Sequence, residues 1–148
     1  LVIAGDGSQM ASLKQYAEHL GITQSVRFLG WSDTVSEVIA SGDVFLSVSE
    51  YEGYGMSMIE AGMLGVPVVT TDVGIAGDVL VNGKNSYICP VGDVPCITHA
   101  LSELVAHNNK RREFALALQS DIKNSIPSTE QYTDAYVQGL RDILLKSI

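Results

Sequence analysis

The chain has 148 residues, 46% of them hydrophobic, with a formal net charge of −8. That length and apolar content suit one domain with a sizeable buried core and argue against a disordered polymer. The negative charge disfavours nucleic acid and anionic lipid as partners, and the one basic cluster, Lys110-Arg111-Arg112, reads as a solvated helix start. No apolar run reaches membrane-span length, and no signal peptide is visible. A cytoplasmic protein is expected, with the inner membrane face as an alternative place for a longer protein. Cys89 and Cys96 are too few for a disulfide framework and lack metal-site spacing. They are expected as small buried thiols. The chain begins at Leu1-Val2-Ile3-Ala4 rather than Met, already in a strand-like run. A segment is therefore expected to be missing upstream.

The first two thirds alternate strand and helix patterns. Leu1 to Ala4 is an apolar run before the turn Gly5-Asp6-Gly7-Ser8. Met10, Leu13, Ala17 and Leu20 recur at helical spacing up to Gly21. Val26 to Leu29 is the next strand, followed by the loop Gly30-Trp31-Ser32-Asp33. Thr34 with Glu37 suggests a capping box for a helix through Val35, Val38 and Ile39. Asp43 to Ser47 is a third strand, Gly53 to Leu64 a helix and Val66 to Thr70 a fourth strand. A short helical turn is expected near 74–80, then a fifth strand at Tyr87-Ile88-Cys89. The last third is helical. Asp93 caps a helix with Ile97, Leu101, Leu104 and Val105 inward. A second helix runs from about Asn109 to Ile122, and Pro127 breaks it. A third carries the stripe Tyr132, Ala135, Tyr136, Gly139, Leu140, Ile143 and Leu144, expected to pack against a body.

Strand–helix alternation implies an α/β fold, a Rossmann-like parallel sheet with helices on both faces. Such sheets bind ligands beyond the carboxyl ends of their strands, here after Ala4, Leu29, Ser47 and Thr70. The richest of these loops is Ser49-Glu50-Tyr51-Glu52-Gly53-Tyr54-Gly55-Met56. Gly53 and Gly55 remove side chains where a helix begins, so a ligand can approach its unpaired amides, and the helix dipole there favours a diphosphate. Glu60 lies one turn on, among Met56, Met58, Ile59, Ala61 and Met63. A carboxylate in that company needs a partner, and two adjacent ribose hydroxyls would serve; an exposed helix face is the alternative. Glu52 stands on the loop itself. Beside a diphosphate it suits sugar hydroxyls, or positive charge developing on a sugar ring, better than it suits phosphate; a solvated loop carboxylate is the alternative. Glu50 lacks the glycines that follow Glu52.

Glu52 and Glu60, with seven residues between them, form an E-x7-E pattern. The chain resembles glycosyltransferase family 4, the group 1 type, in several ordered motifs. These are Ala4-Gly5-Asp6-Gly7, Val26-Arg27-Phe28-Leu29-Gly30, Glu52-Gly53-Tyr54-Gly55, Glu60-Ala61, Gly65-Val66-Pro67-Val68-Val69, and Asn85 with Pro90, Gly92 and Asp93. The resemblance implies the C-terminal, donor-binding half of a GT-B enzyme. It would comprise residues 1–148 as a single nucleotide-sugar domain whose first strand–helix unit and N-terminal acceptor domain are missing. The implied reaction is transfer of a sugar from a nucleoside diphosphate sugar to an acceptor hydroxyl, with retention and with no metal or other cofactor. The acceptor would be a glycan, a lipid-linked molecule or a small molecule held by the missing domain, the only expected route to a membrane. By the same resemblance Glu52 contacts the donor sugar near the reacting carbon, and the amides of Gly53, Tyr54, Gly55 and Met56 hold sugar and phosphates. Glu60 binds ribose, the Gly30-Trp31 loop lies against the base, and Gly5 and Gly7 line the cleft. Trp31 is equally readable as core, and Gly5 and Gly7 as turn residues.

The chain departs from the family at Ile75, often glycine, at Asp78, often glutamate, and at Ser86, usually glycine. The family's diphosphate-binding Arg and Lys would precede Leu1; by position Arg27 and Lys84 are the nearest substitutes. A fragment with these gaps is expected to be inactive alone. A sugar-nucleotide epimerase of the same architecture and a non-catalytic flavodoxin-like module are the competing functions.

Overall fold

Parallel pairing joins every strand of the structure, a computed structural model that describes residues 1–146, and does so in two sheets. The chain divides into two compact units, 1–42 and 43–148. In the first, strand β1 (Val2–Ala4) pairs with β2 (Arg27–Gly30), with helix α1 (Met10–His19) between them and α2 (Val35–Ala40) after them. In the second, β3 (Phe45–Ser47), β4 (Val68–Thr71) and β5 (Ser86–Cys89) pair in that order. Its helices are α3 (Met56–Met63), α4 (Val94–Ala106), α5 (Asn108–Ser125) and α6 (Thr129–Lys146). Helices α1 and α3 carry the β1–β2 and β3–β4 crossovers and the turns of residues 72–85 carry the chain from β4 to β5, so the paired strands run parallel.

Strand β4 is the best-covered element. All four of its residues, Val68 to Thr71, are buried, the mark of a central strand covered on both faces. On one face Val69 joins Cys89, Ala100, Leu104 and Phe114 in a buried cluster, with Leu46, Tyr87 and Ile97 packed against it. Helix α3 packs on β3 and β4 and also against α5. Gly62 makes that helix pair possible, because a Cβ there would lie 2.3 Å from Ile122 Cδ1 and 2.8 Å from Leu118 Cγ.

Several expectations need correcting. Thr34 precedes α2 but makes no side-chain cap; its amide donates to Ser32 Oγ instead, so the capping box is not formed. The short helical turn expected near 74–80 is a single turn, with Val79 N–H donating to Ile75 O at 3.2 Å, in a loop that also holds an Ala76–Leu80 bridge. Val105 points outward on α4, while Ala100 and Leu104 form the buried stripe. Asp93 does cap α4, accepting from Cys96 N–H at 2.9 Å. Cys89 and Cys96 are not free thiols but a disulfide. The Asp93 cap and the tight turn before it bring the end of β5 and the first turn of α4 to a Cα–Cα distance of 5.8 Å. The apolar stripe of α6 is not covered by the described residues: Tyr132, Tyr136, Leu140 and Leu144 are exposed. Tyr132 and Tyr136 stack on each other with centroids 6.4 Å apart, as their i, i+4 spacing allows.

Candidate donor-binding site

Gly5, Gly7, Gly30, Trp31 and Glu52 to Gly55 lie at or beyond the carboxyl ends of the parallel strands, with Met56 and Glu60 following on helix α3. In the first unit, Gly5 and Gly30 follow β1 and end β2, and they meet directly: Gly5 N–H donates to Gly30 O at 2.7 Å. Gly7 is held by Asp6, whose Oδ1 accepts its amide at 2.8 Å. Trp31 is not core. It is 79% exposed, and its indole N–H donates to Asp33 Oδ1 at 3.0 Å, which holds the ring at the surface.

In the second unit the loop between β3 and α3 carries Glu52, Gly53, Tyr54 and Gly55. The helix starts at Met56 rather than Gly53, because Gly55 adopts φ +90° and is the N-cap. Left-handed backbone at that point ends any helix running through it, and glycine adopts it without a Cβ penalty. No side chain caps α3. None of the amides of Tyr54, Gly55, Met56 and Ser57 donates to an acceptor among the described residues. An unpaired row of N–H groups at the positive end of a helix dipole is an anion-binding geometry. Tyr54 and Met56 are exposed beside it.

The two carboxylates differ in their environment. Glu52 is half-buried, and Ser49 Oγ donates to its Oε1 at 2.8 Å. Glu60 is half-buried on α3 and has no hydrogen-bond or ion-pair partner among the described residues. Tyr54 O accepts from Ile75 N–H at 3.0 Å, so the turn after β4 is fastened to the Glu52 loop. Ile75, a departure from the family pattern, is buried.

Neither basic substitute stands at this edge. Lys84 precedes β5, at the amino end of its sheet, and its Nζ pairs with Asp121 Oδ2 at 2.9 Å. Arg27 opens β2, also at an amino end. Strand direction, invisible in a positional match, puts both opposite the ligand edge of their own sheets. Sequence reasoning also missed Ser49 and Thr71, which hold the Glu52 loop; two ordinary hydroxyls carry no signal until the fold juxtaposes them. Among the described residues no three His, Cys, Asp or Glu side chains gather as metal ligands. No helix among them is long and apolar enough to cross a membrane.

Comparison with known proteins shows the family. The family model "Glycosyl transferases group 1" matches residues 1–119. N-acetyl-alpha-D-glucosaminyl L-malate synthase of Bacillus anthracis is 31% identical over 96% of this chain and 38% of its own length. Lipopolysaccharide core biosynthesis glycosyltransferase LpsE of Rhizobium meliloti is 32% identical over 95% of this chain and 41% of its own. The chain thus spans about two fifths of these relatives. Among solved structures, a mutant S. aureus TarM in complex with Fondaparinux, alpha-GlcNAc-glycerol and UDP superposes with a TM-score of 0.87 at 26% identity. That match covers 93% of this chain and 28% of the other. From its ordered motifs, its parallel α/β fold and these matches, the chain belongs to the glycosyl transferases group 1 family.

Proposed function

We propose that this chain is the donor-binding half of a longer retaining glycosyltransferase, which moves a sugar from a nucleoside diphosphate sugar to an acceptor hydroxyl. The observation that carries the reading is the start of α3. Four consecutive amides there lack acceptors, with one carboxylate on the loop before them and an unpartnered carboxylate one turn after them. The amides of Tyr54, Gly55 and Met56, in the Gly53 loop, would take phosphate and sugar oxygens. Glu60 would accept from the two ribose hydroxyls. In the first unit, Trp31 offers an exposed aromatic face on which a base could stack, next to Gly30, whose carbonyl accepts from Gly5 N–H. The UDP bound to the TarM neighbour supports a uridine diphosphate donor. These likenesses do not favour the epimerase or the plain binding module.

Catalysis would rest on positioning and electrostatic stabilisation of an oxocarbenium-like state, with Glu52 beside the anomeric carbon. The helix amides would neutralise the leaving diphosphate in place of a divalent metal. With Lys84 engaged by Asp121, basic residues for the diphosphate would come from protein beyond this chain, as would the acceptor site for a glycan, lipid-linked or small-molecule acceptor. The test has two arms. A thermal-shift panel of UDP-, GDP- and ADP-sugars on the 148-residue chain should single out one nucleotide. Transfer assays on the full-length enzyme, with and without EDTA, should show activity in both. No shift with any nucleotide, together with EDTA-sensitive transfer restored by manganese, would overturn the site.

A further inference from the structure

We propose that Ser49 and Thr71 are positioning residues for the Glu52 carboxylate, through a hydrogen-bond chain running from the buried end of β4 into the donor loop. The proposal rests on the role given to Glu52 above. Thr71 is the last residue of β4 and is buried. Its Oγ1 donates to Ser49 O at 2.6 Å, and Ser49 Oγ in turn donates to Glu52 Oε1 at 2.8 Å. No other group among the described residues bonds that carboxylate.

A serine shortly before a helix ordinarily offers its oxygen to the first helical amides. Ser49 does not cap α3, whose N-cap is Gly55 and which lacks any side-chain cap. Its hydroxyl donates to the Glu52 carboxylate. Glutamate has three rotatable side-chain bonds, and a loop carboxylate would otherwise sample many orientations. The turn after β4 also approaches this loop closely. A Cβ on Gly74 would lie 2.6 Å from Tyr54 O and 3.1 Å from Glu52 Cβ, so only glycine lets that turn lie against the loop. The carbonyl of Ser49 and the carbonyl of Tyr54 are thus held by Thr71 Oγ1 at the end of β4 and by Ile75 N–H in the turn behind it. One carboxylate oxygen is bound within the protein, and Oε2 is left for the donor.

Steady-state transfer kinetics on the full-length transferase test the chain of contacts. Ser49→Ala should lower kcat by roughly 10- to 100-fold, the scale expected when a reacting group is misplaced. Its donor KM should stay within about two-fold, since in this proposal the Ser49 hydroxyl bonds Glu52 rather than the donor. Ser49→Thr keeps the hydroxyl and should restore most of kcat. In a Glu52→Ala background, Ser49→Ala should cost less than about two-fold further, because residues acting through one another are not additive. A merely structural serine would cost the same in both backgrounds, and that result overturns the proposal, as does an unchanged kcat in Ser49→Ala. If Ser49→Ala fails to fold by thermal denaturation, Thr71→Val, which removes only the buried hydroxyl, takes its place with the same reading. Wild-type kcat in Glu52→Ala would instead mean that the assignment of Glu52 is wrong.

Discussion

Lys84 and Asn85 share one carboxylate oxygen of Asp121, at 2.9 Å and 2.8 Å, and so tie the loop before β5 to helix α5. Asn85 is fully buried and also accepts from Val81 N–H and donates to Val79 O, so both of its amide hydrogens are used. Lys84, and after it Asn85, hold the Asp121 carboxyl below its ordinary pKa. A carboxylate depressed in the folded state stabilises fully above its unfolded pKa, about 3.9, and loses that contribution as pH falls through the folded value. Thermal midpoints of wild type and Asp121→Asn should therefore differ by a constant amount at neutral pH, worth about 1 kcal/mol for a partly exposed pair. The two curves should converge below about pH 4. Parallel curves down to the acid limit would remove Asp121 from the stability of this loop.

Glu60→Ala should weaken UDP binding and leave the fold intact. Glu60 has no partner among the described residues, so its removal breaks no internal bond. Losing a charge-assisted contact to the ribose should cost about 1.5–3 kcal/mol. Calorimetric titration of UDP into both proteins measures it, and equal affinities would take Glu60 out of the site.

Gly62→Ala should destabilise the second unit despite alanine's better helix propensity. The propensity gain is about 1 kcal/mol. Against it, the new methyl would meet Ile122 Cδ1 at 2.3 Å and Leu118 Cγ at 2.8 Å. Overpacking of a tight core typically costs about 1–3 kcal/mol, so the net sign is unfavourable. Urea denaturation of the two proteins decides it, and a midpoint raised by the alanine would show that α5 yields more easily than its packing suggests.

Reduction of Cys89–Cys96 should lower stability without unfolding the chain. The bridge closes a short segment, residues seven apart in sequence. Loop-closure entropy for so short a ring gives about 2.5 kcal/mol. Thermal unfolding with and without dithiothreitol, alongside Cys96→Ser, measures the effect. Identical midpoints in all three conditions would mean that the pair contributes nothing to the folded state.

Much of the fold was legible because its causes are local. Short apolar runs marked the five strands, and helical spacing with Gly21, Gly65 and Pro127 marked where the helices stop. The grouping of Glu52, Gly53 and Gly55 before a helix, with Glu60 on it, followed from the same local reading. The helix start was misplaced by three residues because Gly55's left-handed backbone cannot be read from its identity alone.

The amino-acid sequence by itself determined the order of elements, the α/β class and the stretch in which donor chemistry is to be sought, since each depends on neighbours within a turn or two. Tertiary structure alone decided the partners. It set Thr71 against Ser49, 22 residues away, and Asp121 against Asn85, 36 residues away. It placed Lys84 and Arg27 at the amino ends of their strands and left the α6 stripe uncovered among the described residues. Those outcomes depend on strand direction and on which crossovers pack together. These are properties of the whole chain's packing, and no local window of sequence contains them.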